Sequence, residues 1–213
     1  GGERAGKVCG VRLDDGILNT FELALPVQCE VGFTATAHIV SAGIGGTNAW
    51  AHDKGVPPAA LMDLSHLEAW VAAGMEVGAH TRHHANLCEC TRDRAWDEIA
   101  GSKRELEDLL GQEVTSFAYP YGEHRMEHAR MVREAGYATG MSIVSSRARW
   151  SDDVLRLPRI SLRLEDSLAQ LVAQVATDYE DWRMSRPRWR KEPVSRWYVP
   201  PATAALGSGV TAA

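Results

Sequence analysis

Four side chains in two short segments could together bind a metal ion and activate water. Asp14 and Asp15 are adjacent and precede Gly16, and three residues separate His80 from His84. If His80 and His84 lie on one side of a helical turn, both imidazoles can bind one ion, and Asp15 can add an oxygen ligand. Asp14 is then available as a base. Such a group would suit hydrolysis of an unactivated amide.

Each of these segments is also common without any catalytic role. An Asp-Asp-Gly sequence is most often a turn, and a buried histidine is more often a hydrogen-bonded core residue than a ligand. A Pro-Tyr-Gly turn at residues 120–122 is the third segment of interest. All three segments directly follow predicted strands, so their joint occurrence favours a functional site over coincidence.

The elements that must position these residues alternate between strand and helix. Because parallel neighbours need crossovers of this length, the alternation predicts βαβ units and a mostly parallel sheet or barrel. Residues 43–58 are rich in Gly, Pro and Asn and predict a long loop. Strands are predicted at residues 7–13, 33–40, 75–79, 114–118, 137–144 and 154–160. Helices are predicted at residues 18–25, ended by Pro26, at 65–74 with a capping box from Ser65 to Glu68, at 92–110, at 126–136 and from Leu168 to Val175.

Composition limits the classes of partner. The formal net charge of −5 gives no reason to expect a nucleic acid, because polyanions attract basic proteins. No apolar run is long enough to predict a membrane span, and no secretory signal is recognisable, which favours a cytoplasmic location without determining the compartment. The four cysteines are predicted to be free thiols.

The character of the sequence changes near residue 181. Residues 1–180 are predicted to form one catalytic domain, and residues 181–213 to form an extension rich in Arg, Trp and Pro that ends in a tail of small residues. Helical and strand periods both vanish in this extension. It is predicted to pack on the barrel or on a second copy of the chain, as in a homo-oligomer, rather than to bind nucleic acid.

Three motifs resemble a known family. Residues 12–16 (RLDDG) are similar to its Thr-Phe-Asp-Asp-Gly motif, and residues 80–84 (HTRHH) match its His-(Ser/Thr)-x-x-His motif. Residues 117–122 (FAYPYG) match the third motif of its bacterial branch without change. The chain therefore resembles the polysaccharide deacetylases with a NodB-homology domain, also called carbohydrate esterase family four, over about residues 7–176.

The resemblance implies a distorted (β/α) barrel with fewer than eight strands and a metal-dependent N-deacetylase that acts on N-acetylated carbohydrate. Asp15, His80 and His84 would bind a divalent metal, usually zinc, with cobalt, nickel or manganese as alternatives. Asp14 would take a proton from the attacking water, and the backbone N–H of Tyr121 would donate to the oxyanion. His83 is predicted to face away from this site.

Two departures from the family pattern bear on the mechanism. Ala118 stands where many members have an arginine, and Arg159 stands where many have the histidine of a Leu-x-His segment that protonates the amine. Arginine is a poor general acid, so we expect Arg159 to pair with Asp14 and keep it ionised and oriented. The proton for the amine would then come from Asp14 or from a loop histidine such as His52, His124 or His128.

Three functions remain open from the sequence. The first is an N-deacetylase of poly- or oligosaccharides, with Trp50 and Tyr121 either as walls against a sugar or as core residues. The second keeps the chemistry but acts on a small acylated metabolite. The third is a catalytically silent scaffold that binds sugar, against which the intact set of two aspartates and two histidines argues. The sugar, its linkage and the metal are not determined by the sequence.

Overall fold

The computed structural model describes residues 9–162 and 166–185, and its centre is a five-stranded parallel sheet. The strands lie in sequence order, and each pairs in parallel with the next. This curled sheet with its helices confirms the predicted distorted (β/α) barrel of fewer than eight strands. The strands are Val11–Leu13 (β1), Ala35–Ile39 (β2), Glu76–Ala79 (β3), Ser116–Ala118 (β4) and Thr139–Met141 (β5).

Helices connect successive strands, as parallel pairing requires. Among the described residues, no helix is both long and apolar enough to cross a bilayer. The third helix has the predicted bounds, and it begins at a Thr91 cap and ends at Gly111 in the left-handed conformation. The helices are Leu25–Val31 (α1), Leu64–Ala72 (α2), Arg92–Leu110 (α3), Met126–Glu134 (α4), Leu168–Ala176 (α5) and Tyr179–Ser185 (α6).

The core lies between the sheet and helices α2 and α3. Trp70, Ile99, Leu106 and Phe117 are all completely or almost completely buried. The indole of Trp70 also donates to the carbonyl oxygen of Glu76 at 2.8 Å, which ties α2 to β3. Every residue of β2 is buried, as is typical of a parallel strand covered on both faces.

Two predicted helix boundaries are wrong. Pro26 does not end a helix: a π-helical turn at Thr20–Ala24 leads directly into α1, which carries Pro26 in its first turn. Proline is tolerated there because the first N–H groups of a helix have no partner within the helix. The cap of α2 is Asp63 rather than Ser65, and the Asp63 carboxylate accepts from the N–H of His66 at 3.0 Å.

Two further predictions fail after β5. Residues 154–160 form no strand: Leu157 bridges to Met141, but Pro158 has no N–H, and the next N–H, of Arg159, donates to Val144. Helical structure also continues past residue 181, because α6 extends to Ser185. The remainder of the predicted extension, residues 186–213, and the first two residues of the predicted first strand lie outside the described residues.

Candidate metal centre and active site

The chemistry-bearing segments lie at the carboxyl ends of β1, β3 and β4. Asp14 and Asp15 follow β1 directly, His80 follows β3, and Pro120–Gly122 lies just after β4. Asp15 and Gly16 have φ angles of 72° and 69°, so the chain turns sharply after β1. In a parallel sheet the carboxyl ends of all strands meet at one edge, which brings these distant segments together.

Asp15, His80 and His84 form a group that could hold a metal ion. The Oδ1 atom of Asp15 lies 3.4 Å from Nε2 of His80 and 3.2 Å from Nε2 of His84. The three candidate donor atoms lie within 4.8 Å of one another, and both histidines are buried. One carboxylate and two imidazoles are the donor set of many catalytic zinc sites.

The tautomer of His80 and the pKa values of His84 and Asp15 also fit a metal ion. Burial acts to lower the pKa of His80, but its contacts with Asp15 and Asp14 raise it above the usual value, so a bound ion would replace a proton there. The Nδ1 atom of His80 lies 2.8 Å from the carbonyl oxygen of Ala118, which can only accept, so Nε2 is the nitrogen that can bind an ion. Burial lowers the pKa of His84, which favours the neutral imidazole that a ligand must be. Burial acts to raise the pKa of Asp15, but hydrogen bonds from His80 and His84 bring it far below its usual range.

The segment from His80 to His84 is not the helical turn that its spacing suggested. Thr81 and His84 both adopt left-handed backbone conformations, with φ angles of 63° and 56°. The imidazoles converge because this irregular turn brings His84 back toward His80, with ring centroids 4.8 Å apart. A turn with two strained residues needs support from outside the segment.

Glu98 on α3 supplies that support. Its side chain is completely buried, and Oε2 accepts from the backbone N–H groups of Arg82 and His83, each at 2.9 Å. Oε1 lies 2.9 Å from Nδ1 of His83 and accepts from Nε of Arg94 at 2.8 Å. His83 thus faces Glu98, outside the metal group, as expected. No local pattern identifies Glu98, because its role depends on a turn that precedes it by 15 residues or more.

Asp14 makes a two-point ion pair with Arg159. The guanidinium approaches both carboxylate oxygens, with Nη1 to Oδ1 at 2.9 Å and Nη2 to Oδ2 at 2.7 Å. Burial acts to raise the pKa of Asp14, but the charge of Arg159 and the contact with His38 hold it well below its usual range. The pairing expected for Arg159 is therefore present, and Asp14 is ionised.

Two backbone carbonyl groups fix Arg159 in place: one accepts from its side chain and the other from its backbone N–H. Its Nε donates to the carbonyl oxygen of Ser142 at 2.8 Å, and its backbone N–H donates to Val144 at 3.0 Å. The guanidinium is nearly buried, with 17% of its side chain exposed. The segment after β5 therefore positions Arg159 although it forms no strand.

His38 is a buried residue of the site that sequence reasoning missed. Its Nδ1 lies 3.2 Å from Oδ1 of Asp14, without the alignment of a full hydrogen bond, and its Nε2 lies 3.0 Å from Oγ of Ser116. Gly78 makes room for the ring, since a Cβ there would lie 2.5 Å from Cδ2 of His38. The available signal was a histidine inside an otherwise uncharged segment, residues 33–40, predicted as a strand.

Aromatic side chains surround His84. Trp50 stacks on its ring with centroids 4.9 Å apart and an angle of 20°, and Tyr121 meets it edge-on at 4.6 Å. Tyr121 has a φ of 58° within the Pro120–Gly122 turn. Trp50 and Tyr121 are half-buried, so both contribute to the wall of the site rather than to the deep core.

Two of the three loop histidines suggested as proton donors are engaged elsewhere. His124 has Nδ1 at 2.9 Å from the carbonyl oxygen of Gly122, and its Nε2 accepts from Nε of Arg156 at 2.9 Å. His128 is buried, and its Nδ1 accepts from the backbone N–H of Arg125 at 3.1 Å. The third, His52, is exposed and lies on the short helix Ala49–Lys54, which also carries Trp50.

Known proteins share this fold and parts of this sequence. YxkH of Bacillus subtilis, whose assignment as a polysaccharide deacetylase is itself provisional, is 23% identical over 150 residues, which cover 70% of this chain. The chain spans half the length of that curated relative.

Two solved structures have the same fold. The deacetylase PplD of Streptococcus pyogenes, solved in complex with acetate, has a TM-score of 0.70 at 22% identity, with 81% of this chain and 72% of PplD covered. IcaB of Ammonifex degensii has a TM-score of 0.68 at 21% identity, with 80% of this chain and 74% of IcaB covered.

A family model decides the membership. The model for polysaccharide deacetylases matches residues 1–140, which include β1 to β4 and the segments that carry Asp14, Asp15, His80 and His84. This match covers well over half of the chain, and its motifs meet in space at one edge of the sheet. The chain belongs to the polysaccharide deacetylase family.

Proposed function

We propose that this protein is a metal-dependent N-deacetylase that hydrolyses the acetamide of N-acetylated amino sugars in a poly- or oligosaccharide. One observation carries the proposal: the donor atoms of Asp15, His80 and His84 converge, and the ionised carboxylate of Asp14 lies beside them. Family membership and the deacetylase PplD, which has the same fold, agree with this chemistry.

Asp15, His80 and His84 would hold a divalent ion, for which we propose zinc, with cobalt, nickel or manganese as alternatives. The ion would polarise the acetamide carbonyl and strengthen water as a nucleophile near neutral pH. His80 is oriented for this task by Ala118, and His84 by its contacts with Trp50 and Tyr121.

The protein's own groups would move the protons. Asp14, held by Arg159, would accept a proton from the attacking water, and the backbone N–H of Tyr121 would donate to the developing oxyanion. Asp14 could then return its proton to the departing amine, with His52 as the second candidate. Arg159 would not supply this proton, because its guanidinium stays charged, and Asp14 raises its pKa further despite burial.

The test is an acetate-release assay on N-acetylglucosamine oligomers, with and without a chelator, that compares wild type with Asp14→Asn. We expect chelation to abolish activity and Asp14→Asn to lower kcat by about 100-fold or more, as for loss of a general base. Asp108→Asn, at an exposed position on α3, is the matched control and should behave like wild type. Activity that survives chelation would exclude this mechanism.

The same assay separates the alternatives. Acetate release from small acylated metabolites, but not from sugars, would favour the metabolite hypothesis. Absence of release from every probe, in a protein shown to bind zinc, would favour the silent scaffold.

A further inference from the structure

Lys54 places a positive charge at the rim of the candidate site. It is the last residue of the short helix Ala49–Lys54, which ends at Gly55 with a φ of 74°. Trp50 on the same helix stacks on His84, so this helix is anchored to the site. The position of Lys54 relative to the site is therefore set by the fold.

The ammonium group of Lys54 lies over the ring of Tyr121, 3.7 Å from its centroid. Tyr121 in turn meets His84 edge-on. The ring of Tyr121 thus lies between the charge of Lys54 and His84, a proposed metal ligand. The cation–π contact keeps the flexible side chain of Lys54 beside the wall of the site, although the residue is exposed.

Within residues 9–162 and 166–185, no carboxylate pairs with Lys54. Asp53 precedes it and is exposed, but makes no ion pair with it. By contrast, the other cation of the site, Arg159, is neutralised by Asp14. Lys54 is therefore available to a ligand that enters the site.

We propose that Lys54 binds a negatively charged substituent, a carboxylate or a phosphate, on the sugar that carries the acetamide. This inference rests on the proposed deacetylase function and narrows its substrate class to acidic N-acetylated sugars. A lysine suits such a group because its ammonium is a compact charge with three donors that rotate to meet different anions.

The exposure of Lys54 sets the expected size of its effect on ligand affinity. Lys54 is exposed, so water screens its charge, and a single exposed ion pair is typically worth about a two- to fivefold change in affinity. Added salt should reduce the effect further.

The test measures equilibrium binding by NMR titration of the zinc-loaded protein with N-acetylglucosamine, N-acetylglucosamine 6-phosphate and N-acetylmuramic acid. The second probe carries a phosphate and the third a carboxylate, so the two sources of charge are distinguished. The proteins are wild type, Lys54→Gln, Lys54→Glu and the control Arg104→Gln, at an exposed cation on α3 without an ion pair in the described chain. Acetate release is recorded separately as the readout of the proposed function.

We expect Lys54→Gln to weaken binding of at least one acidic probe by about two- to fivefold and to leave the neutral probe unchanged. Lys54→Glu should weaken it further, and Arg104→Gln should match wild type. If Lys54→Gln and Arg104→Gln bind both acidic probes alike, the inference about Lys54 is overturned, whatever the enzyme's turnover. If no probe or oligomer releases acetate while the charge preference stands, the deacetylase proposal fails instead.

Discussion

At the scale of single residues, the pairing of Asp14 with Arg159 has two opposing effects on its proposed role as a base. Its pairing with Arg159 keeps it ionised, yet the same pairing lowers its pKa and so weakens it as a proton acceptor. The two-point contact also fixes the carboxylate plane, which a general base needs for alignment with its proton donor. We infer that orientation matters more here than intrinsic basicity.

This view predicts the effect of changing Arg159. Arg159→Ala should lower kcat by about 100-fold, because the carboxylate loses both alignment and its counter-charge. Arg159→Lys should lose less, since lysine keeps the charge but not the two-point geometry. Steady-state acetate release measures both effects, and near-UV circular dichroism verifies the fold. Full turnover by Arg159→Ala would remove Arg159 from the mechanism.

At the scale of elements, the candidate metal centre depends on contacts between α3 and the turn after β3. The turn contains two residues with positive φ, and the buried carboxylate of Glu98 satisfies two of its backbone N–H groups. Buried polar groups without a partner are costly, so these bonds favour the turn that presents His84. Helix α3 thus positions His84, a proposed ligand that lies outside the helix.

Glu98→Gln should therefore weaken metal binding. The amide can accept at one oxygen only, so the turn loses part of its support, and we expect metal affinity to fall by about 10- to 100-fold. Cobalt titration followed by visible absorption reports the ligand geometry directly. Asp108→Asn on the same helix should leave the affinity unchanged. An unaltered cobalt spectrum and affinity in Glu98→Gln would show that the turn holds its shape without Glu98.

At the scale of the whole molecule, α6 is the last described helix, and it packs on the segment that follows β5. Glu180 is completely buried and contacts Ser145, Gln174 and Arg183, while Asp181 accepts from Ser146 at 2.8 Å. That segment also contains Ser142 and Val144, whose carbonyls hold Arg159. Residues close to the predicted domain boundary at 180 therefore contact the same segment that holds Arg159 in the candidate active site.

The burial of Glu180 predicts an acid-sensitive contribution to stability. Burial acts to raise its pKa, but bonds from Arg183 and Ser145 lower it below the usual value. A depressed pKa means that the contribution is present above the ordinary glutamate pKa of about 4.3 and is lost as pH falls through the folded-state value. The free energy of unfolding in urea should thus fall less steeply toward acid in Glu180→Gln than in wild type.

Near neutral pH, Glu180→Gln should be less stable by about 1 to 3 kcal/mol, the range for a hydrogen-bonded buried charge. Glu134→Gln, at an exposed position on α4, is the control and should follow the wild-type pH profile. Identical pH profiles for wild type and Glu180→Gln would show that the ionisation of Glu180 does not stabilise the fold.

The amino-acid sequence alone determined the local features of this protein. The alternation of strands and helices predicted the parallel sheet, and helical periodicity closed by Gly111 predicted the bounds of α3. Two short motifs singled out Asp14, Asp15, His80 and His84 as candidate site residues. These features are readable because each depends on residues that are close together in the chain. The pairing of Arg159 with Asp14 was also expected, but only because Arg159 stands where many family members have the histidine of a Leu-x-His segment.

Tertiary structure alone decided what supports these residues. The turn from His80 to His84 depends on Glu98, the space for His38 depends on Gly78, and residues 154–160 lie beside β5 without forming the predicted strand. Local patterns do not determine the first two outcomes, because each arises from contacts between segments that are distant in the chain. The third combines a local cause, the missing N–H of Pro158, with the bond from Arg159 to Val144. Local preferences are small compared with the free energy of such buried contacts, so packing overrides them.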